Sequence, residues 1–193
     1  MTQGYPYAPS GPGAWMLRPT LEHIPHAPFP VGYGIRGLRA DEGPLWTDIE
    51  RDAEEYFPIA DDTFAKTFGA DPEAIPQRCY VITGPKGNGV GVISAWYNRS
   101  FKGQEWGQIH WVATRPAHQG KGLGKAGLSY ALNQLARWHT RAYLDTQTAR
   151  IPAIKLYLDF GFVPDLDQPD AHAAWRGVKA QLKHPTLDAL DLH

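Results

Sequence analysis

The feature of this sequence that most constrains its fold is the stretch of residues 108–125, which combines a strand pattern, a glycine-rich turn and a helix start. Before Arg115 the residues alternate with a period of two, which is typical of a strand. Pro116 cannot donate a hydrogen bond to a strand ladder and therefore ends it. The predicted strand places Ile109, Trp111 and Ala113 on one face and Gln108, His110, Val112 and Thr114 on the other.

The turn after this strand predicts an anion-binding site. Its glycines, at positions 120, 122 and 124, let the backbone approach a ligand closely, and the first amides of the following helix have no partner within that helix. Lys121 and Lys125 add positive charge where phosphate oxygens would lie. The helix itself is predicted from one apolar stripe at helical spacing: Leu128, Ala131, Leu132, Leu135 and Trp138.

Two other phosphate-binding designs compete for this turn. A P-loop is excluded because Gln119 occupies the position of its first glycine and Ala126 the position of its hydroxyl residue. A dinucleotide fingerprint, Gly-x-Gly-x-x-Gly, is matched by residues 122–127, and Asp145 lies near the distance expected of a ribose-binding acid. Its context is poor, because a loop separates the strand from the first glycine and little chain follows Asp145.

The same run, Gln119-Gly-Lys-Gly-Leu-Gly124, matches every fixed position of Gln/Arg-x-x-Gly-x-Gly/Ala, the acyl-CoA pyrophosphate loop of the GCN5-related N-acetyltransferases. A second block, Tyr157 followed by Phe160-Gly-Phe162, resembles the last helix of that family. Over roughly residues 33–164 the sequence resembles this superfamily. The resemblance implies an α/β (α+β) fold, in which a mixed, mostly antiparallel sheet of six to seven strands is flanked by helices and splayed between strands four and five.

The resemblance also implies acetyl-CoA as the cofactor and assigns its contacts. The end of the fourth strand would pair with the pantetheine arm, and the loop and helix start would bind the pyrophosphate. Arg150 stands where many relatives have an asparagine that binds the cofactor arm. The implied binding residues are Val112, Ala113, Thr114, Gln119, Gly120, Lys121, Gly122, Leu123, Gly124 and Lys125.

Three residues are candidates for catalysis. Tyr157 resembles the tyrosine that protonates the departing thiolate, although a tyrosine on a helix can also be a core residue. Many relatives carry a glutamate base at the position of Gln108, and glutamine cannot accept a proton at neutral pH. A histidine titrates near neutral pH, so His110 could serve as the base in place of that glutamate. The alternative is that His110 is a buried structural histidine. Asp145 occupies another position where some relatives have a catalytic acid, and it could equally brace the strand end.

The chain is expected to consist of an extension, residues 1–32, and an acetyltransferase domain, residues 33–193, that closes with a C-terminal helix. Seven of the 17 prolines fall in the extension, which predicts neither a helix nor a central strand there. Its first dozen residues are expected to be mobile, and the part from Trp15 onward to lie extended along the domain. There it would cover the substrate mouth or seal the core.

Local patterns predict further elements. Asp41 is expected to cap a helix over residues 42–56. Residues 79–83 and 90–97 read as two strands joined by a hairpin, and the polar tract of residues 98–106 as a loop.

Composition narrows the partners. The formal net charge of -1 and the pI of about 6.7 indicate no basic face, so binding to nucleic acid is not expected. No apolar run is long enough for a membrane span. A single cysteine, Cys79, together with the lack of a signal-peptide pattern, favours the cytoplasm. The histidines lack the spacing of metal ligands, so no metal site is predicted.

Together these observations predict an N-acetyltransferase. It would transfer the acetyl group of acetyl-CoA to a primary amine of a small-molecule or peptide acceptor, as a monomer or homodimer. Direct attack is favoured because no cysteine or serine is evidently poised to carry the acyl group. The alternative is a catalytically silent acyl-CoA-binding or regulatory module on the same fold, for which the glutamine at position 108 is the best argument.

Overall fold

The computed structural model describes residues 12–192 of the chain, which contain seven strands and seven α-helices. The strands are β1 Gly13–Arg18, β2 Gly34–Gly37, β3 Cys79–Thr83, β4 Gly89–Phe101, β5 Gln104–Thr114, β6 Ala142–Gln147 and β7 Val163–Pro164. The helices are α1 Gly43–Ala53, α2 Thr63–Phe68, α3 Ile75–Arg78, α4 Leu123–Leu135, α5 Ile151–Asp159, α6 Ala171–Gln181 and α7 Pro185–Asp188.

The chain divides into two compact units. The central unit is Pro19–Ala142, and the terminal unit joins the chain up to Arg18 to the chain from Tyr143 onward. The predicted boundary at residue 32 stays a prediction. The mobility expected of the first dozen residues also stays a prediction, because residues 1–11 lie outside the described part.

In the central unit, strands β2, β3, β4 and β5 pair in this order, each antiparallel to the next. The two longest helices of this unit lie on opposite faces of these strands. Helix α4 approaches Ile93 through Gly127, whereas α1 shares a core cluster with the adjacent residue Val92. Because neighbouring strand residues point to opposite faces, α1 and α4 cover different sides.

The β4–β5 hairpin is longer than predicted. The polar tract expected to be a loop continues both strands, which meet at a two-residue turn of Lys102 and Gly103. Both turn residues have positive φ, 47° and 77°, as in the mirror-image turns that match the twist of a hairpin. The sequence pattern missed this because the strand ends are solvent-exposed and therefore polar.

A bulge in β5 overturns the predicted division of its faces. Val92 pairs with Ala113 and Ser94 with His110, so Trp111 and Val112 together stand opposite a single residue of β4. Trp111 has a φ of +49°. The extra residue turns Trp111 and Ala113 toward the α1 side, where His110 also packs, whereas the period of two had put His110 on the other face.

The core on the α1 side is aromatic. The ring centroid of Trp46 lies 5.1 Å from that of Trp111 and 5.7 Å from that of Phe68. The ring centroids of Phe68 and Trp96 are 4.9 Å apart. The tryptophans at 96, 106 and 111 are each exposed by less than a tenth of their surface, so they belong to the core. Burying rings of this size in edge-to-face contact contributes strongly to stability.

In the terminal unit, β1 lies between β6 and β7 and pairs antiparallel with β7. The prediction that the first 32 residues contain no central strand is therefore wrong. The six residues of β1 are free of proline and lie between Pro12 and Pro19, so they can donate to neighbours on both sides. The buried Arg18 at its end donates through Nη1 to the carbonyl of Phe160.

The expected fold class is confirmed: a mixed α/β chain with seven mostly antiparallel strands flanked by helices. The helix predicted near the C-terminus is present as α6 and buries Ala174, Trp175 and Val178. None of the helices within residues 12–192 has the length and apolar character needed to cross a membrane.

Helix α1 begins differently from the prediction. Its N-cap is Glu42, not Asp41, and Pro44 occupies the first turn. The Glu42 carboxylate binds the guanidinium of Arg36 through two bonds of 2.6 and 2.8 Å and accepts the backbone N–H of Arg39. The hydrogen bonds from Arg36 hold the pKa of Glu42 down to about 2. This buried carboxylate therefore ties β2 to the start of α1.

We expect Glu42→Gln to destabilise the protein by about 2 kcal/mol at pH 7, because it removes charge-assisted bonds from a buried group. The folded-state pKa is depressed, so the contribution is complete above the unfolded-state pKa of about 4.3 and is lost as pH falls toward about 2. Urea unfolding of both proteins across this range measures the difference.

The exposed Glu73 provides the control, since Glu73→Gln should change stability by less than about 0.5 kcal/mol. A Glu42→Gln effect of equal size at every pH would contradict an electrostatic role.

Candidate functional site

The candidate site begins where β5 ends. After Thr114 the chain turns through a short 3-10 segment, Pro116–His118, before the glycine-rich loop. Gln119, the first residue of that loop, donates from its side-chain Nε2 to the carbonyl of Thr114 at 3.0 Å. The loop is thus anchored to the strand end by the residue that opens the predicted motif.

The loop backbone has the conformation that its glycines predict. Gly120 and Gly122 have φ of +72° and +82°, where other residues are strained, and a Cβ at either position would meet no heavy atom within 4 Å. The glycines therefore serve the backbone shape and leave open space beside it. Both residues are exposed.

Helix α4 starts directly from this loop, with Gly122 as its N-cap. Gly122 has no side chain to cap the helix, and the first α-helical bond runs from Ala126 N–H to the Gly122 carbonyl at 3.0 Å. The amides of residues 123–125 precede that bond, and they carry the positive end of the helix dipole.

Three cations lie on this part of the chain, and they differ in their partners. Arg115 is held by Asp48 at 2.5 Å and Asp52 at 3.1 Å, so its charge is balanced by α1. Lys121 is exposed and donates to the carbonyl of Ala117, an interaction that leaves its charge unbalanced. Lys125 is also exposed. Positive charge is therefore concentrated on the loop and the first turn of α4.

These features fit a diphosphate. Open space beside glycines, amides at a helix start and two exposed lysines are what a bound phosphate needs. The residues that could hold the pyrophosphate of acetyl-CoA are those of the loop and the first helical turn, from Gln119 to Lys125.

The strand residues of the predicted site surround the bulge. Gln108 is buried, and its side-chain Nε2 lies 3.2 Å from Nδ1 of His110. The His110 ring lies 6.0 Å from Phe68 and 5.9 Å from Trp111. Burial lowers the pKa of His110 to about 3, so the imidazole is neutral at pH 7. The expectation that His110 titrates near neutrality is therefore wrong, and its role as a base stays a prediction.

The only cysteine is not a candidate nucleophile. Cys79 is fully buried in β3, and desolvation raises the pKa of its thiol to about 12. Such a thiol is protonated at neutral pH and has little nucleophilic character.

The remaining predicted residues belong to the terminal unit. Tyr157 is buried in α5, with its ring 6.0 Å from that of Phe162. Its carbonyl accepts the N–H groups of Phe160 and Phe162, which follow the end of the helix at Asp159. Asp145 is partly buried in β6. Arg150 precedes α5 and donates from Nε to the side chain of Gln147 at 3.1 Å.

Sequence reasoning missed two residues next to the loop. The hydroxyl of Tyr33 and Nδ1 of His118 lie 3.1 Å apart, and His118 immediately precedes Gln119. No local pattern links positions that are 85 residues apart, so only the fold reveals the pair. Within residues 12–192 no group of three or more His, Cys, Asp or Glu side chains is placed to hold a metal ion.

Comparison with known protein families gives one clear result. The family described as "Acetyltransferase (GNAT) family" matches residues 40–162, which is more than half of the chain. This span runs from α1 to α5 and contains the whole candidate loop. None of the curated proteins matches the sequence.

Solved structures show the same fold at low sequence identity. A GCN5-related N-acetyltransferase from Sphaerobacter thermophilus has a TM-score of 0.65 and 20% identity, over 82% of this chain and 50% of its own. One from Kribbella flavida has a TM-score of 0.53 and 19% identity, over 81% and 56%. The chain thus spans about half the length of these two proteins.

A third similar structure contains ligands. Diaminobutyrate acetyltransferase from Paenibacillus lautus, in complex with L-2,4-diaminobutyric acid and coenzyme A, has a TM-score of 0.50 and 20% identity, over 66% of this chain and 74% of its own. Because all three identities are below 25%, these likenesses concern the fold. The family match, the fold and the glycine-rich loop agree, and the chain belongs to the GNAT acetyltransferase family.

Proposed function

We propose that this protein is an N-acetyltransferase that uses acetyl-CoA to acetylate a primary amine by direct attack. The observation that carries the proposal is the loop of residues 119–124, whose open glycine backbone leads into the start of α4 beside two exposed lysines. A family match over residues 40–162 supports the same chemistry.

When bound, acetyl-CoA would supply the acetyl group as a reactive thioester. In the proposal, the amides of the loop and of the first turn of α4 bind the pyrophosphate, and Lys121 and Lys125 balance its charge. The backbone of Val112, Ala113 and Thr114 binds the pantetheine arm as an added strand would. A backbone N–H of this segment also polarises the acyl carbonyl.

Two proton transfers remain to be assigned. Tyr157 is proposed to donate a proton to the departing thiolate. The amine must lose a proton, for which His110 and Asp145 are the candidates, directly or through water. Burial lowers the pKa of His110, which weakens it as a base at neutral pH.

The acceptor is proposed to be a small molecule or a peptide with a primary amine. The Paenibacillus lautus acetyltransferase, which has a similar fold, is in complex with its substrate L-2,4-diaminobutyric acid. That substrate is a small molecule with a primary amine, which supports the proposal. We propose a monomer or homodimer in the cytoplasm, a reducing compartment in which a free buried thiol such as Cys79 is ordinary.

One observation favours a second function, a silent acyl-CoA-binding or regulatory module. Gln108 cannot act as a base, and the neutral His110 beside it is only weakly basic at neutral pH. Such a protein would bind acetyl-CoA and release no CoA with any amine.

The proposed function predicts selective stabilisation by CoA compounds. At a concentration of 100 times the Kd, acetyl-CoA or CoA should stabilise the protein by about 2.7 kcal/mol, which raises Tm by about 5–10 °C. Thermal-shift titrations with acetyl-CoA, CoA and NADH in parallel measure this. A shift with NADH alone would support the dinucleotide fingerprint instead. Release of CoA in the presence of a panel of amines then separates the enzyme from the silent module.

Replacing Gly122 with tryptophan should abolish acetyl-CoA binding, because the side chain would fill the space proposed for the pyrophosphate. Gly87→Trp is the matched control: Gly87 has a φ of +76° and equally open surroundings, but it lies in the β3–β4 hairpin. Both variants should lose about 1–2 kcal/mol of stability through backbone strain. Calorimetric titration with acetyl-CoA should detect binding only in the control, and binding by both would refute the loop assignment.

Tyr157→Phe should lower kcat at least about 10-fold and leave acetyl-CoA affinity nearly unchanged, since only the proton donor is removed. Tyr143→Phe removes a hydroxyl from another buried tyrosine of the terminal unit and should keep full turnover. Steady-state rates and cofactor titrations distinguish the cases. If Tyr157→Phe loses cofactor binding together with stability, the residue is structural.

A further inference from the structure

A segment of the N-terminal part of the chain follows helix α4 along its length. Residues 19–33, which we call the strap, contain no helix or strand. Leu21 donates its backbone N–H to the carbonyl of Thr140, just beyond the C-terminal end of α4. Tyr33, at the other end of the strap, contacts His118, just before the loop that leads into α4.

The middle of the strap is held by one buried serine of α4. The Ser129 hydroxyl donates to the carbonyl of Pro25 at 2.8 Å and accepts the N–H of Ala27 at 3.1 Å. Ser129 is 3% exposed, so both bonds are shielded from water. Further along, Phe29 packs against the cluster of Ile82, Val90 and Leu123, the first residue of α4. The strap is therefore fixed at several points on its way to the loop.

The contact at the end of the strap concerns the loop directly. The Tyr33 hydroxyl and His118 Nδ1 form a hydrogen bond of 3.1 Å, and the two rings meet edge to face at 5.8 Å. His118 closes the 3-10 turn, and its backbone N–H donates to the carbonyl of Arg115 at 2.8 Å. Gln119, the next residue, is anchored to Thr114. The approach to the glycines is thus held by the strap on one side and by β5 on the other.

We infer that the strap positions the phosphate loop, with Tyr33 acting on it through His118. Gly120 and Gly122 confer no rigidity of their own, because glycine has the widest conformational freedom of any residue. A loop that must present its amides in one arrangement binds more tightly when its ends are fixed beforehand. Tyr33 and Ser129 are positioning residues in this scheme, since neither is assigned a contact with the cofactor. The inference rests on the proposed function.

The experiment compares two acetyl donors that share the thioester and the pantetheine arm but differ in the pyrophosphate and in the nucleotide attached to it. Acetyl-CoA carries the pyrophosphate, and S-acetylpantetheine lacks it. In Tyr33→Phe, which removes only the hydroxyl, KM for acetyl-CoA should rise about 5- to 10-fold with kcat unchanged, and kcat/KM for S-acetylpantetheine should stay at the wild-type value. A merely structural role would change both donors alike or neither.

Two further variants complete the test. Ser129→Ala releases the middle of the strap and should give the same donor-selective rise in KM, so it serves as the test if Tyr33→Phe does not fold. Tyr130→Phe removes a hydroxyl from α4 on a ring that packs against Tyr80, and it should leave both donors unaffected. Calorimetric titration with CoA gives the same comparison without turnover and should show Kd raised in the first two variants only.

The outcomes separate the two proposals. Wild-type protein that binds no CoA overturns the proposed function, and the inference falls with it. If the wild-type protein binds CoA and the folded Tyr33→Phe and Ser129→Ala variants bind it with equal affinity, the inference alone is overturned. The strap would then only pack against α4.

Discussion

The register of the β4–β5 hairpin determines where the residues of the central unit point. A two-residue turn at Lys102 and Gly103 starts the pairing, and a shift of one residue in any strand exchanges its two faces. The bulge at Trp111 makes one such exchange within β5. Because of it, Trp111 and Ala113 join the aromatic core under α1, and the strand ends at Thr114 in the orientation that receives the side chain of Gln119.

The bulge carries an energetic cost that the core offsets. A tryptophan at a φ of +49° is strained by about 1–3 kcal/mol. Burial of its indole against Trp46 and Phe57, at 5.1 and 6.2 Å, contributes a similar amount or more. The aromatic cluster therefore stabilises an irregular backbone beside the candidate site, and it also shields His110 partly from water, which lowers its pKa.

Much of the fold follows from local sequence, and the failures have physical reasons. The loop and α4 were predictable because glycine positions and an apolar stripe act within a few residues. The bulge was not, since the period of two assumes an unbroken strand. Strand β1 was obscured by the prolines around it, and the Glu42 cap depends on Arg36, which comes from another element. In the candidate site, the conformation of the loop was predictable from its glycines, whereas the basicity of His110 and the contact of Tyr33 depend on packing between distant segments.

The pairing of β1 with β7 has a consequence for how the chain folds during synthesis. Leu17 pairs with Val163, so β1 leaves the ribosome on the order of ten seconds before its partner at ordinary rates of translation. The β4–β5 hairpin, by contrast, contains only local contacts and can form as soon as it emerges. During that interval the backbone of an apolar strand, with Trp15, Met16 and Leu17, lacks the β7 side of its pairing. An unpaired strand edge can pair with other chains, so β1 is exposed to aggregation during this interval, and co-translational binding by a chaperone would be useful there.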